Sequence, residues 1–267
     1  MSRSLSEIVD LMKRLAQLEW AESWDNVGLL IEPQEQAVAK ILLTIDLTEE
    51  VLSEANDEAA NLIVSYHPPI FSGLKRLTRR TAGERVVIDA IRSNTGVYSP
   101  HTALDAAPNG MNDWLVRGLG PSETTPIVQL PNAPTGVGMG RIAQLAEPVT
   151  LRELTARIKQ YLGLSHVRVA CSSSHSAGKP IERVAVCAGA GGSVFEHCAQ
   201  ADLLLTGEMR HHDILARVAQ GTSVILTDHT NTERGYLRVL AEHLRHELGT
   251  GVDVVISKRD ADPLRIE

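Results

Sequence analysis

Four side chains, far apart along the chain, have the chemistry of a metal site. His67 stands in S-Y-H-P-P-I-F (65–71), where an apolar run stops at a diproline. A backbone stiffened in this way suits a ligand, because its geometry is set in advance. Asp105 closes H-T-A-L-D (101–105) and offers a hard oxygen donor. His101, in the same motif, reads as a ligand, a supporting donor or a cap. His229 and Glu233 lie four apart in D-H-T-N-T-E-R-G (228–235) and share a face if that turn is helical. Each motif alone has an ordinary reading: a polar strand end, an Asx-type turn, an acid complementing a helix dipole. Together they make two imidazoles and two carboxylates, a mixed N/O set that suits Zn, Fe, Mn or Ni better than Mg or Ca. A metal so held brings the pKa of bound water to about 7 and supplies hydroxide at neutral pH. That chemistry is hydrolysis.

Two further segments carry polar groups. T-G-E-M-R-H-H-D (206–213) places Glu208 and His212 where either could move protons beside a metal. His211 reads as a solvated helix start, and His243 and His246 as exposed helix residues. C-A-G-A-G-G-S-V-F-E (187–196) completes neither a Walker motif nor GxGxxG. A tight turn is preferred there over a phosphate cradle, with Ser193 and Glu196 spaced as a capping box.

The whole chain must position these groups. It has 267 residues, 43% hydrophobic and 22% charged, so about two globular domains are expected. Lys and Arg number 26 against 33 Asp and Glu, a net charge of −7 that disfavours nucleic acid as a partner. Aromatics are only 3%, which argues against base-stacking platforms of the single-strand-binding type and calls for an aliphatic core. No apolar run approaches the ~18 residues of a membrane span, so no membrane partner is expected. The first fifteen residues carry Glu7 and Asp10 and lack a secretory centre. Cys171, Cys187 and Cys198 form no CxxC pair. A reducing, cytoplasmic setting is the expectation.

Periodicity predicts a helix over 5–19, strands at 40–47 and 61–67, and helices at 48–60, 83–96 and 109–120. A third strand is predicted at 97–102. Residues 120–136 hold four prolines and read as a linker. Beyond it, G-R-I-A-Q-L-A, E-R-V-A-V-C-A-G, A-D-L-L-L-T-G and T-S-V-I-L-T-D read as strands, and 232–248 as a helix before a closing strand V-D-V-V-I-S-K. The fold class is α/β: two layered lobes with largely parallel or mixed sheets flanked by helices. The expected lobes are 1–125 and 135–267, with the last segment able to return to the first lobe. The metal site is expected between the lobes at strand ends, where open α/β sheets gather their chemistry.

A-E-S-W-D-N-V-G-L-L (21–30), S-Y-H-P-P-I-F, S-P-H-T-A-L-D-A-A-P-N-G (99–110), L-L-T-G-E-M-R-H-H-D (204–213) and T-D-H-T-N-T-E-R-G (227–235) occur in this order. Together they resemble the Nif-three-like proteins, whose bacterial members go under the description GTP cyclohydrolase 1 type 2 homologues. The resemblance runs from about residue 5 to the C-terminus. It implies a dinuclear metal centre in a toroidal homohexamer. One ion would take His67, Asp105 and Glu233; the other would take His229, the shared Glu233 and the first histidine of a His-His pair. That first histidine is Tyr66 in this chain. A phenol of pKa about 10 is a poor ligand beside imidazole, so one ion firmly bound and a second weak or absent is expected. Trp24 reads as packed, with Asp25 and Asn26 shaping a turn; the segment is given no catalytic role but could line the cavity. The implied activity is a metal-dependent hydrolase acting on a nucleotide or phosphoester. The alternative is a ring-shaped scaffold that binds a protein partner and keeps a structural or vestigial metal.

Overall fold

Branched aliphatic runs build the strands of the first unit, Met1–Leu104 with Tyr236–Glu267. These strands are β1 (Gly28–Ile31), β2 (Lys40–Thr44), β3 (Leu62–Ser65) and β4 (Gly96–Ser99), joined by a closing strand Asp253–Ile256. The computed structural model describes every residue of the chain except Met1, Ala199 and Arg265. Five strands lie in the order closing strand, β2, β3, β4, β1. All neighbours are parallel except β1, which runs antiparallel on the edge beside β4. Helices α1 (Leu5–Leu15), α2 (Glu49–Asp57) and α3 (Ala82–Arg92) accompany this sheet. Ser4 and Glu7 cap α1 reciprocally, and Thr48 and Thr81 cap the next two through their hydroxyls. Leu42, Ile63 and Val97 of the sheet meet Val51, Leu52, Val87 and Ala90 of α2 and α3 in one apolar cluster. Full burial of each large aliphatic residue contributes roughly 1.5–3 kcal/mol.

The chain departs from the expected pattern at two places here. Helix α1 stops at Leu15 because Ala16 is extended, and a short 3-10 turn at Leu18–Trp20 follows. The motif H-T-A-L-D is not a turn: residues His101–Ala106 form a helix, α4.

The second unit is Asp105–Gly235. After α5 (Met111–Arg117) come β5 (Ser122–Thr125), β6 (Arg141–Val149), α6 (Leu151–Leu162), β7 (Arg168–Ala170), α7 (Ser173–Ser176), β8 (Ile181–Cys187), α8 (Gly192–Phe195), β9 (Leu203–Thr206), α9 (His211–Ala219) and β10 (Ser223–Leu226). Six strands lie in the order β7-β10-β9-β8-β6-β5. The central β8, β9 and β10 are parallel and the outer strands antiparallel, so the sheet is mixed. Ala185, Phe195, Leu204, Val224 and Leu226 make its buried cluster. The segment 120–136 is not a linker. Pro121 and Pro126 flank an edge strand at Ser122–Thr125 rather than interrupt it, as proline tolerates. The division of the chain falls at Leu104, inside α4, where the expected lobes were 1–125 and 135–267, and helix α10 (Tyr236–Leu248) belongs with the first unit.

Candidate metal centre

In the first unit, parallel strands β2, β3 and β4 deliver Asp46, His67 and His101 just beyond their carboxyl ends. His67 is seated by its backbone: its N–H donates to the Ile45 carbonyl at 3.0 Å, and its carbonyl accepts from the Ser65 hydroxyl at 2.7 Å. Its Nδ1 lies 2.8 Å from Asp46 Oδ1. An ionised carboxylate only accepts, so the ring proton sits on Nδ1 and the Nε2 lone pair is the metal-ready one. His101 repeats the pattern, with Nδ1 at 2.8 Å from Asp25 Oδ1. The Asp25 carboxylate is fully buried and also accepts from the Thr102 backbone and hydroxyl. Burial pushes its pKa up, but the His101 and Thr102 bonds outweigh that and hold it below the usual carboxylate range. His101 itself has φ +28, an uncommon conformation for a side-chain-bearing residue that this network maintains. Tyr66 is buried, 3% exposed, with its ring centroid 5.0 Å from that of His67 and 5.5 Å from that of His101.

In the second unit the parallel strands β8, β9 and β10 bring Gly189, Glu208 and His229 to the same edge. Residues Thr230–Thr232 form a 3-10 turn, and His229 Nε2 comes within 3.4 Å of Glu233 Oε1. The His229 Nδ1 lies 2.9 Å from Glu208 Oε1, so this imidazole too presents Nε2. Glu233 is 2% exposed. A web of threonines fixes the turn. Thr232 accepts from the Gly189 N–H at 2.8 Å and donates to the His229 carbonyl at 2.6 Å. Thr206 accepts from the Gly191 N–H and donates to the Gly189 carbonyl. Gly189 has φ +62, and a Cβ there would stand 2.8 Å from His229 Nε2 and 2.9 Å from Glu233 Oε1. The glycine run is thus a close backbone approach to the two donors. Ser193 lies inside α8 and Glu196 follows it, so the expected capping box does not form.

Asp105, on α4, is buried at 9% exposure; its carbonyl accepts from Asn112 Nδ2 at 3.1 Å, and Asn112 Oδ1 accepts from the Ala188 N–H. His212 lies exposed at the start of α9 with its ring against that of His211, centroids 5.3 Å apart. Glu208 lines a cleft of about 500 Å³ with Ser193, Arg210 and Asp213. Among the described residues His67, His229 and Glu233 make up a His-His-Glu donor set that could hold a metal ion. The supporting carboxylates Asp46 and Asp25 escaped sequence reasoning, because they stand 21 and 76 residues from the histidines they orient.

A mixed-sheet α/β chain whose strand-end histidines rest on carboxylates defines a candidate metal-binding protein. The Duf34/NIF3 (NGG1p interacting factor 3) family model matches residues 3–263, and the chain belongs to that family. NIF3-like protein 1 of Bos taurus is 38% identical over 354 residues, covering 99% of this chain and 94% of that protein. NGG1-interacting factor 3 of Saccharomyces cerevisiae is also 38% identical, covering 98% of this chain and 96% of its own length. A crystal structure of a Staphylococcus aureus hypothetical protein superposes with a TM-score of 0.85 at 26% identity, covering 99% of both chains. Among the described residues no helix is long and apolar enough to cross a membrane.

Proposed function

We propose that this protein binds a divalent metal and acts as a metal-dependent hydrolase. The observation that carries the reading is the pair of carboxylate-seated imidazoles: His67 on Asp46 and His229 on Glu208, each with Nδ1 within 2.9 Å of the acid. Structural histidines need no such partner; metal ligands regularly have one. His67, His229 and Glu233 would hold a Zn, Fe, Mn or Ni ion, and the family resemblance offers Asp105 as a further oxygen donor. A divalent ion bound there would supply Lewis acidity at neutral pH. Glu208 then has two roles. It keeps the His229 proton on Nδ1, and it stands on the wall of the adjoining cleft, where a carboxylate can take up a proton. His212, turned toward His211, is the weaker candidate for that second role. The substrate class offered for test is a nucleotide or phosphoester, and the assembly a homohexamer in the cytoplasm.

One firm ion per chain is proposed, since Tyr66 provides no imidazole for a second. Tyr66 also favours the alternative reading, a scaffold with a vestigial metal, and the name of the yeast relative speaks of an interaction of that protein. Elemental analysis after dialysis and a screen of nucleotides and phosphoesters with Zn-, Mn- and Fe-loaded protein separate the two. About one ion per chain, with turnover abolished in a folded Glu233→Gln variant, is the expected result. Metal-free protein, or turnover indifferent to Glu233→Gln, overturns the hydrolase. A clean negative screen together with a stoichiometric protein partner establishes the scaffold.

A further inference from the structure

Trp24, which the sequence reads as packed or lining a cavity, is 57% exposed, and Phe71 beside it is 53% exposed. In a chain with only three Trp and two Phe, one of each therefore stands in solvent at the same spot. Their ring centroids are 5.8 Å apart with planes inclined at 47°, so the two rings touch tilted rather than stacked face to face. The aromatic row does not end there. Trp24 meets His101 edge-on at 6.1 Å, and His101 meets His67 at 5.3 Å. A continuous line of rings thus leads from Phe71 to a candidate metal donor.

Both exposed rings are held from behind. Asp25, next to Trp24, is locked by His101 Nδ1 and by the backbone and hydroxyl of Thr102. Asn26 donates from Nδ2 to the Ile70 carbonyl at 2.5 Å, which ties the segment carrying Trp24 to the one carrying Phe71. Exposed large apolar groups are ordinary when scattered singly. Two of them, fixed by a buried carboxylate and adjoining a ligand-type histidine, have the construction of a binding surface. Flat aromatic faces attract other flat π systems with little regard to substituents.

We propose that Trp24 and Phe71 form a shelf on which the planar heteroaromatic ring of a small-molecule ligand stacks beside His67. This deepens the hydrolase reading, and rests on it, by giving the substrate a flat ring; the polar motifs W-D-N and H-T-A-L-D acquire the task of holding that shelf in place.

The test is calorimetric titration of chelator-treated, metal-free protein with adenosine and with guanosine, using ribose and cyclohexylmethanol as controls. Wild type is expected to bind at least one nucleoside saturably and neither control. Trp24→Leu and Phe71→Leu keep an apolar side chain but remove the π face, and each is expected to weaken binding roughly tenfold or more. Circular dichroism melts confirm that the variants fold, and sedimentation velocity follows their assembly. No saturable nucleoside binding by wild type, or equal binding by both folded variants, overturns the shelf. Loss of assembly mass in Trp24→Leu with no nucleoside binding by wild type makes the surface a contact between copies instead. Metal content, measured separately on the same proteins after reloading, is expected to be unchanged by either substitution. Failure of the metal reading therefore shows as absent metal with ring binding intact.

Discussion

Glu208 Oε1 stands 2.9 Å from Nδ1 of His229, while Nε2 of the same ring faces Glu233 Oε1 at 3.4 Å. One carboxylate fixes the tautomer and the other shares the lone-pair side. The side chain of Glu208 is 56% exposed, so its bond contributes orientation rather than much stability. Glu208→Ala is expected to weaken metal binding on the order of 10–100-fold, the usual cost of losing an outer partner of a ligating histidine. Glu208→Gln, which can still accept from Nδ1, should lose less. Competition against a chelator of known affinity measures both, and equal affinities for all three proteins would remove Glu208 from the site.

Tyr66→His restores an imidazole to a buried position whose ring lies 5.0 Å from that of His67. The bound metal is expected to rise from one toward two ions per chain. Elemental analysis of the folded variant checks it; an unchanged ratio means that position 66 does not face a second ion.

Gly189→Ala sets a methyl group against both donors of the second unit, at 2.8 and 2.9 Å, on a backbone with φ +62. A loss of roughly 1–2 kcal/mol from the left-handed conformation is expected in urea unfolding. Metal retention should fall with it, because the carboxylate and imidazole must move apart to admit the Cβ. Retention equal to wild type in a destabilised variant would show that the donors tolerate the shift.

A pH effect on stability should come from His175. It is 7% exposed, and its Nδ1 lies 2.9 Å from Ser172 Oγ and 2.7 Å from Ser223 Oγ. Burial lowers its pKa below 6.5; Asp202 opposes that and Lys179 adds to it. A depressed folded-state pKa means the neutral ring is favoured by folding. Its contribution is complete above about pH 6.5 and is lost as pH falls through the lowered value. Urea midpoints at pH 7.5 and 5.5 should differ more for wild type than for His175→Gln. Identical differences in the two proteins would assign the effect elsewhere.

The legible parts of the chain were those in which chemistry and local pattern coincide. Val-, Ile- and Leu-rich runs ending on Tyr66-His67 or Asp228-His229 announced buried parallel strands and the residues at their ends. Helix α4 was not legible, because Ser99-Pro100 ahead of His101 reads as a chain opening, and the strained φ of His101 is sustained through Asp25, distant in sequence. Nor could Gly189 be distinguished from an ordinary turn glycine: its significance lies in two donors 40 and 44 positions further on, which no local pattern encodes. The segment 120–136 misled for a related reason. Four prolines signal an interruption, yet β5 needs only the residues between two of them to pair with β6.

The closing strand Asp253–Ile256 pairs with β2, and Glu54 accepts from the Ser257 hydroxyl and from the backbone of Lys258 and Arg259. On the ribosome, the N-terminal portion of the first unit must therefore wait with one sheet border unpaired while every residue of the second unit emerges. The later-made unit has all its strands first. Such a waiting border is an open strand edge, the kind of surface on which partly made chains pair wrongly.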